Sequence, residues 1–195
     1  RQKFPTWLKN GPIEGANEYS TARFTFAEGC LEVKSDDEQF LALYEEYLQS
    51  RLRDMLVSDG GFTAGTDLYG LLRNIMRNDA QLLVEWRDGR TMMENLIGES
   101  ATDVPKDFDQ RVANARNALN SLRRFYKQLK NICDSVAYSA ESELGEADRR
   151  RLKNLAERAD QLASEVGESI EYAMQIRSMY QARINSRQTE ITTVL

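Results

Sequence analysis

The chain has 195 residues, with 26 Lys and Arg against 31 Asp and Glu and a formal net charge of −5. A surface that neutralises phosphates along a nucleic acid needs excess Lys and Arg on one face, so a general nucleic-acid binder is excluded. The absence of histidine removes the triads, zinc sites and imidazole bases that depend on it.

With 29% charged and 41% apolar residues and a mean hydropathy of −0.59, the composition suits exposed amphipathic helices. It fits one small domain plus an elongated helical appendage. Cys30 and Cys133 match neither a metal-ligand spacing nor a disulfide framework, which fits a reducing compartment. No run of apolar residues is long enough to cross a bilayer and no signal peptide is visible, so the chain as given is expected to be soluble.

Residues 1–20 contain Pro5, Gly11, Pro12 and Gly15 without a sustained period, and read as an irregular lead-in. From Thr21 the pattern alternates through Ala22, Phe24 and Phe26, turns at Glu28-Gly29, and continues through Cys30, Leu31 and Val33. This is a hairpin at the edge of a sheet, and it needs a helix or further strands against it to be stable. Asp36 is then expected to cap a helix with apolar positions Phe40, Leu41, Leu43, Tyr44, Tyr47, Leu48, Leu52 and Leu56.

The glycine-rich stretch from Ser58 to Gly65 ends this unit. Thr66 or Asp67 caps the next predicted helix, whose apolar side carries Leu68, Leu71, Leu72, Ile75, Met76, Leu82, Leu83 and Trp86 and which is expected to reach Ile97. Residues 21–104 thus form a partial α/β domain. After a break around Pro105, residues 105–195 form a long helical hairpin. Phe108, Val112, Ala115, Leu119, Leu122, Phe125, Leu129, Ile132 and Val136 repeat at threes and fours in its first arm. The short connector from Ser139 to Glu146 predicts an antiparallel return. The predicted fold class is α+β, predominantly α: a partial sheet with covering helices, plus the hairpin.

The second arm, about 146–195, keeps one apolar stripe from Leu152 through Leu155, Ala159, Leu162, Val166, Ile170, Ala173, Ile176, Tyr180 and Ile184 to Ile191 and Val194, interrupted by the charge of Arg187. At 1.5 Å per residue it reaches roughly 70 Å. It meets no glycine or proline stop before Leu195 and reads as cut, not finished.

No nucleophile–base pair or phosphate cradle is present, and no enzymatic activity is expected. Gly60-Gly61 lacks the following lysine of a phosphate loop and reads as a plain loop. The acids Glu141, Glu143, Glu146 and Asp148 could attract a hard cation, but read better as a solvated connector whose last members favour a helix N-terminus. Tyr126, Tyr138, Tyr172 and Tyr180 are expected to pack, and Arg123, Arg124 and Arg149 to Arg151 to form solvated faces.

Met174 to Leu195 carries a resemblance. Met174, Gln175, Arg177, Tyr180, Gln181, Arg187, Gln188, Glu190, Ile191, Val194 and Leu195 match the end of the stalk helix that enters the membrane in CorA-type divalent-metal transporters. The resemblance implies a cytoplasmic domain with its stalk, at the inner face of the cell membrane. It also implies a funnel-shaped homopentamer in the full-length protein, passive flow of Mg2+ (or Co2+, Ni2+ or Zn2+) through a central pore, and gating by metal bound between subunits. Without its membrane helices the chain is expected to be monomeric or weakly associated, and no resident cofactor is implied.

By the same resemblance Thr189, Thr192 and Leu195 face the pore, although the family usually has asparagine and methionine where Thr189 and Thr192 stand. The stalk position of the regulatory metal falls on Asn154, a weaker ligand than a carboxylate. Either the nearby acid Glu157, with Asp160 one turn further, substitutes for it, or binding is averaged over many acids. The enrichment of Arg177, Arg183 and Arg187 before the membrane also fits a cytoplasmic flank. The rival readings are a zinc transporter of the same superfamily and a soluble coiled-coil adaptor.

Overall fold

The computed structural model describes residues 2–5, 19–27, 30–36, 38–57, 63–77, 79, 83–84, 87, 107–139 and 144–194. The alternating stretch forms strands β2 (Tyr19–Ala27) and β3 (Cys30–Ser35). Ala27 stands opposite Cys30, Phe26 opposite Leu31 and Phe24 opposite Val33, the antiparallel register of a hairpin. Facing residues share one side of the sheet. On that side Leu31 and Val33 pack against the core, while Arg23 and Thr25 on the other side are exposed.

The lead-in is not irregular throughout. Gln2–Pro5 forms strand β1, antiparallel to β2 with Gln2 opposite Ala22 and Pro5 opposite Tyr19, and the sheet order is β1-β2-β3. Four residues are too few to display a period. Pro5 reads as a breaker in sequence, yet proline is tolerated on an edge strand, where its missing N–H need not join the ladder. This third strand supplies support that a lone hairpin lacks.

Helix α1 (Glu38–Val57) and helix α2 (Ala64–Ile75) both contact β3. Among the described side chains at the apolar positions expected on α1, Phe40 and Tyr47 are buried, Leu43 and Tyr44 are half-buried, and Leu41, Leu48 and Leu52 are exposed. Helix α2 begins earlier than expected. Thr63 is its N-cap, with extended backbone and a side chain accepting the Thr66 N–H at 3.1 Å. The glycine count suggested a loop through Gly65, but Gly65 lies in the first turn, where any Cβ would collide with Leu144 and Asp148. Gly70 likewise makes room for the Tyr47 ring, whose hydroxyl donates to the Asp67 carbonyl at 3.0 Å.

The same helix also stops well short of Ile97. After Ile75 the backbone tightens, with Arg77 N–H bonding the Asn74 carbonyl and Asp79 N–H bonding that of Met76. Asp79, Leu83, Val84 and Arg87 again have helical backbone, while residues 88–97 lie outside the described residues.

The hairpin arms are α3 (Phe108–Tyr138) and α4 (Glu146–Val194). Their direction follows from cross-contacts at both ends: Lys153 sits over the Tyr138 ring at 4.4 Å, whereas Phe108 and Tyr180 have ring centroids 4.6 Å apart and Arg177 bonds Asp109 at 3.1 Å. Leu119, Leu122, Phe125 and Leu129 of α3 meet Leu152, Leu155, Leu162 and Val166 of α4 in one core that also takes in α1 and α2. A separate small cluster of Phe108, Val112 and Ile176, flanked by Tyr172 and Tyr180, closes the far end. Tyr126, Tyr172 and Tyr180 pack as expected; Tyr138 is exposed.

Leu162 is only 1% exposed in the middle of the seam. Leu162→Asp should destabilise the fold by about 3 kcal/mol or more, because it buries an unpaired carboxylate. Chemical denaturation of the two proteins checks this, and an unchanged midpoint would place the seam elsewhere.

Candidate functional site

The first turns of α2 and α4 meet at one side chain. Asp148, in the first turn of α4, is 4% exposed and accepts hydrogen bonds from the Thr63 and Thr66 hydroxyls and from Arg151 at 3.0 Å. Two helix N-termini, both positive ends of their dipoles, face this carboxylate. Its bonds go to hydroxyls and a guanidinium, so Asp148 ties α4 to α2 and does not serve the hard-cation reading of the acidic connector. Glu146 is exposed, and Glu141 and Glu143 lie outside the described residues. The sequence offered little warning of this tie, since Thr63 and Asp148 are 85 positions apart.

A second buried acid lies beyond the end of α2. Asp79 is 2% exposed beside the fully buried Tyr126 of α3, and one oxygen of each has no hydrogen-bond partner of good geometry. Burial raises the Asp79 carboxyl from 3.8 to about 6 against the opposing pull of the Tyr126 hydroxyl and the Arg158 charge. Burial also holds the Tyr126 hydroxyl far above the usual phenol range. Cys133 is buried and free, and desolvation pushes its thiol up to about 12, which keeps it protonated at neutral pH.

Beside these groups runs a groove of about 1020 Å3 between α1, α2 and α4. Arg51, Arg73, Arg77, Arg151 and Arg158 line it, with Glu46 and Asp54 as its acids. Asn154, the position carried over for a stalk metal, opens into this arginine-lined groove between Arg151 and Arg158. Positive charge there opposes a bare divalent cation. Glu157 and Asp160 are exposed on α4, and Asp160 lies within electrostatic reach of Lys130 on α3. Among the described residues no group of three or more acids or cysteines is placed to hold a metal ion.

Beyond Tyr180, α4 projects past the start of α3 and residues 185–190 are exposed. Thr189 donates its hydroxyl to the Asn185 carbonyl one turn back in its own helix at 3.0 Å. Thr192 lies in the last turns of α4 with its side chain outside the described residues, as is all of Leu195. No described helix is long and apolar enough to cross a membrane.

The architecture is a small antiparallel sheet covered by helices and extended by one long helical hairpin. The complete structure of the CorA magnesium transporter from Methanocaldococcus jannaschii aligns over 90% of this chain and 58% of its own, with a TM-score of 0.68 and 14% identity. The soluble domain of CorA from the same organism aligns over 92% of this chain and 75% of its own, with a TM-score of 0.60 and 11% identity. The chain therefore has the CorA soluble-domain fold and spans a little over half of the complete transporter structure. No protein-family model and no curated protein matches the sequence.

The raised Asp79 carboxyl has a consequence for stability. Its folded pKa lies above the unfolded value, so the folded state binds the proton more tightly; this contribution favours folding at low pH and is lost as pH rises from 3.8 through about 6. Relative to wild type, Asp79→Asn should gain up to about 3 kcal/mol between pH 4 and pH 7. Urea denaturation across that range reads it. A difference that does not change with pH would show that Asp79 is not desolvated.

Proposed function

We propose that this chain is the soluble and stalk-bearing portion of a CorA-like channel-type transporter that moves a divalent metal ion, Mg2+ foremost, across the cell membrane. The observation that carries the reading is α4: a helix of 49 residues, locked to α3 over its first two thirds and projecting beyond it, in the fold of the CorA soluble domain. A helix that serves only a soluble core has no reason to continue for so many turns past its last partner.

In this reading α4 continues into the membrane, five copies surround one pore, and the cytoplasmic face holds the domain. Thr189 and Thr192 lie at the inner end of the pore with Leu195. Hydroxyl oxygens suit that place, since they can bond the water shell of a hard cation without trapping the ion as a carboxylate would. Regulation by metal between subunits would draw on exposed acids such as Glu157 and Asp160, with Asn154 contributing little because its surroundings are basic.

The test is ion uptake by the full-length protein in liposomes, comparing Mg2+, Co2+, Ni2+ and Zn2+. Electrogenic Mg2+ flux supports the reading, and flux of Zn2+ alone transfers it to a zinc transporter. No flux of any of the four overturns it. In the same assay Glu157→Gln should leave the inhibitory Mg2+ midpoint within about threefold of wild type, because many acids share the binding. A shift of about tenfold or more would make Glu157 a dedicated ligand.

A further inference from the structure

The arginine-lined groove has no part in the transport reading. Both lining acids, Glu46 and Asp54, stand on α1 together with Arg51, whereas α2 and the turn after it supply Arg73 and Arg77 and α4 supplies Arg151 and Arg158. On α4 the spacing of seven puts Arg151 and Arg158 on one side of the helix, while Arg77 reaches the groove from the turn that follows α2. Arg51 and Arg151 are held by Asp67 at 3.3 Å and Asp148 at 3.0 Å. Among the described residues Arg73 and Arg77 have no ion-pair partner, and Arg158 hydrogen-bonds the neutral amide of Gln161 at 3.5 Å while its charge also acts on the buried Asp79.

Glu46 and Asp54 offset part of this charge, and a multivalent anion entering the groove would lower the remaining repulsion among Arg73, Arg77 and Arg158. Guanidinium is a planar fork of donors that matches phosphate oxygens two at a time. A single carboxylate would neutralise only one of the three, whereas a chain of phosphates carries several charges at a spacing that neighbouring arginines can share. A volume of about 1020 Å3 also exceeds what a single small anion fills and is in the range that takes a ligand of nucleotide size.

We propose that this groove binds an oligophosphate anion, either inorganic or the phosphate chain of a nucleotide, with Arg73, Arg77 and Arg158 as its ligating side chains. Asn154 then belongs to an anion site, where its amide can donate a hydrogen bond. The proposal stands on the groove alone and does not require the chain to be part of a transporter.

Isothermal titration calorimetry of the chain, in chelator and at about 50 mM salt, tests it with orthophosphate, tripolyphosphate and ATP as probes. Tripolyphosphate should bind one to one with a Kd in the range of about 1–100 μM, at least about tenfold tighter than orthophosphate. Raising the salt should weaken it. Arg73→Gln and Arg158→Gln should each reduce affinity about tenfold or more, whereas Arg116→Gln, exposed on α3 outside the groove, should leave it within about twofold. Circular dichroism melts verify that each variant is folded. ATP binding tighter than tripolyphosphate identifies a nucleotide ligand, and equal or weaker ATP binding identifies the inorganic chain. No binding at about 1 mM, or an equal loss in Arg116→Gln, overturns the proposal.

Discussion

The seam between α3 and α4 is the contact on which the other elements rest. A sheet of three short strands is marginal by itself, and α1 buries little more than Phe40 and Tyr47. Those elements gain a core because Leu71, Leu72 and Ile75 of α2 join the leucines that the hairpin supplies. Asp148 fixes the approach of α2 to α4: its carboxylate occupies the space between two helix N-termini, and Gly65 lets the backbones come close enough for that bond. The small domain is therefore mounted on one end of a rod, and the rod extends away from it.

How much of this could be read from the sequence depended on the length of each pattern. The hairpin arms repeat their apolar residues over many turns, and their limits fell within two residues of those expected. The β2–β3 hairpin was legible for the same reason: alternation on both sides of Glu28-Gly29. Strand β1 was not legible, because four residues ending in Pro5 carry no period and derive their conformation from β2. The start of α2 was misplaced because Gly65 resembles loop chemistry, although close packing against Leu144 and Asp148 is what requires a glycine there. Its end was misplaced because the apolar spacing continues through Leu83 while the backbone turns at Met76.

The charge distribution was less legible than the fold. Arginines at positions 51, 73, 77, 151 and 158 come from three segments and share a groove only after folding. Each reads as an ordinary solvated charge on its own helix. The candidate metal position was carried over by resemblance, and the structure puts Asn154 among these arginines, with no metal-binding group of three acids or cysteines among the described residues. Asp79 was likewise unremarked in sequence. Its burial beside Tyr126 leaves a desolvated carboxyl inside the core, a cost that the remaining packing must outweigh.

Helix α4 is one continuous helix whose stability is lent by α3 and lapses beyond it. Gly167, in the middle of α4, is where such a helix is intrinsically weakest, by about 1 kcal/mol relative to alanine; a Cβ added there would meet the Arg123 guanidinium only at ordinary contact distance, 3.4 Å. Amide hydrogen exchange measured along α4 tests the claim most directly. Protection should be high and unbroken from Leu152 through Gly167 to Ile176, then fall steeply after Tyr180. A fast-exchanging gap around Gly167, or equal protection out to residue 190, would contradict it.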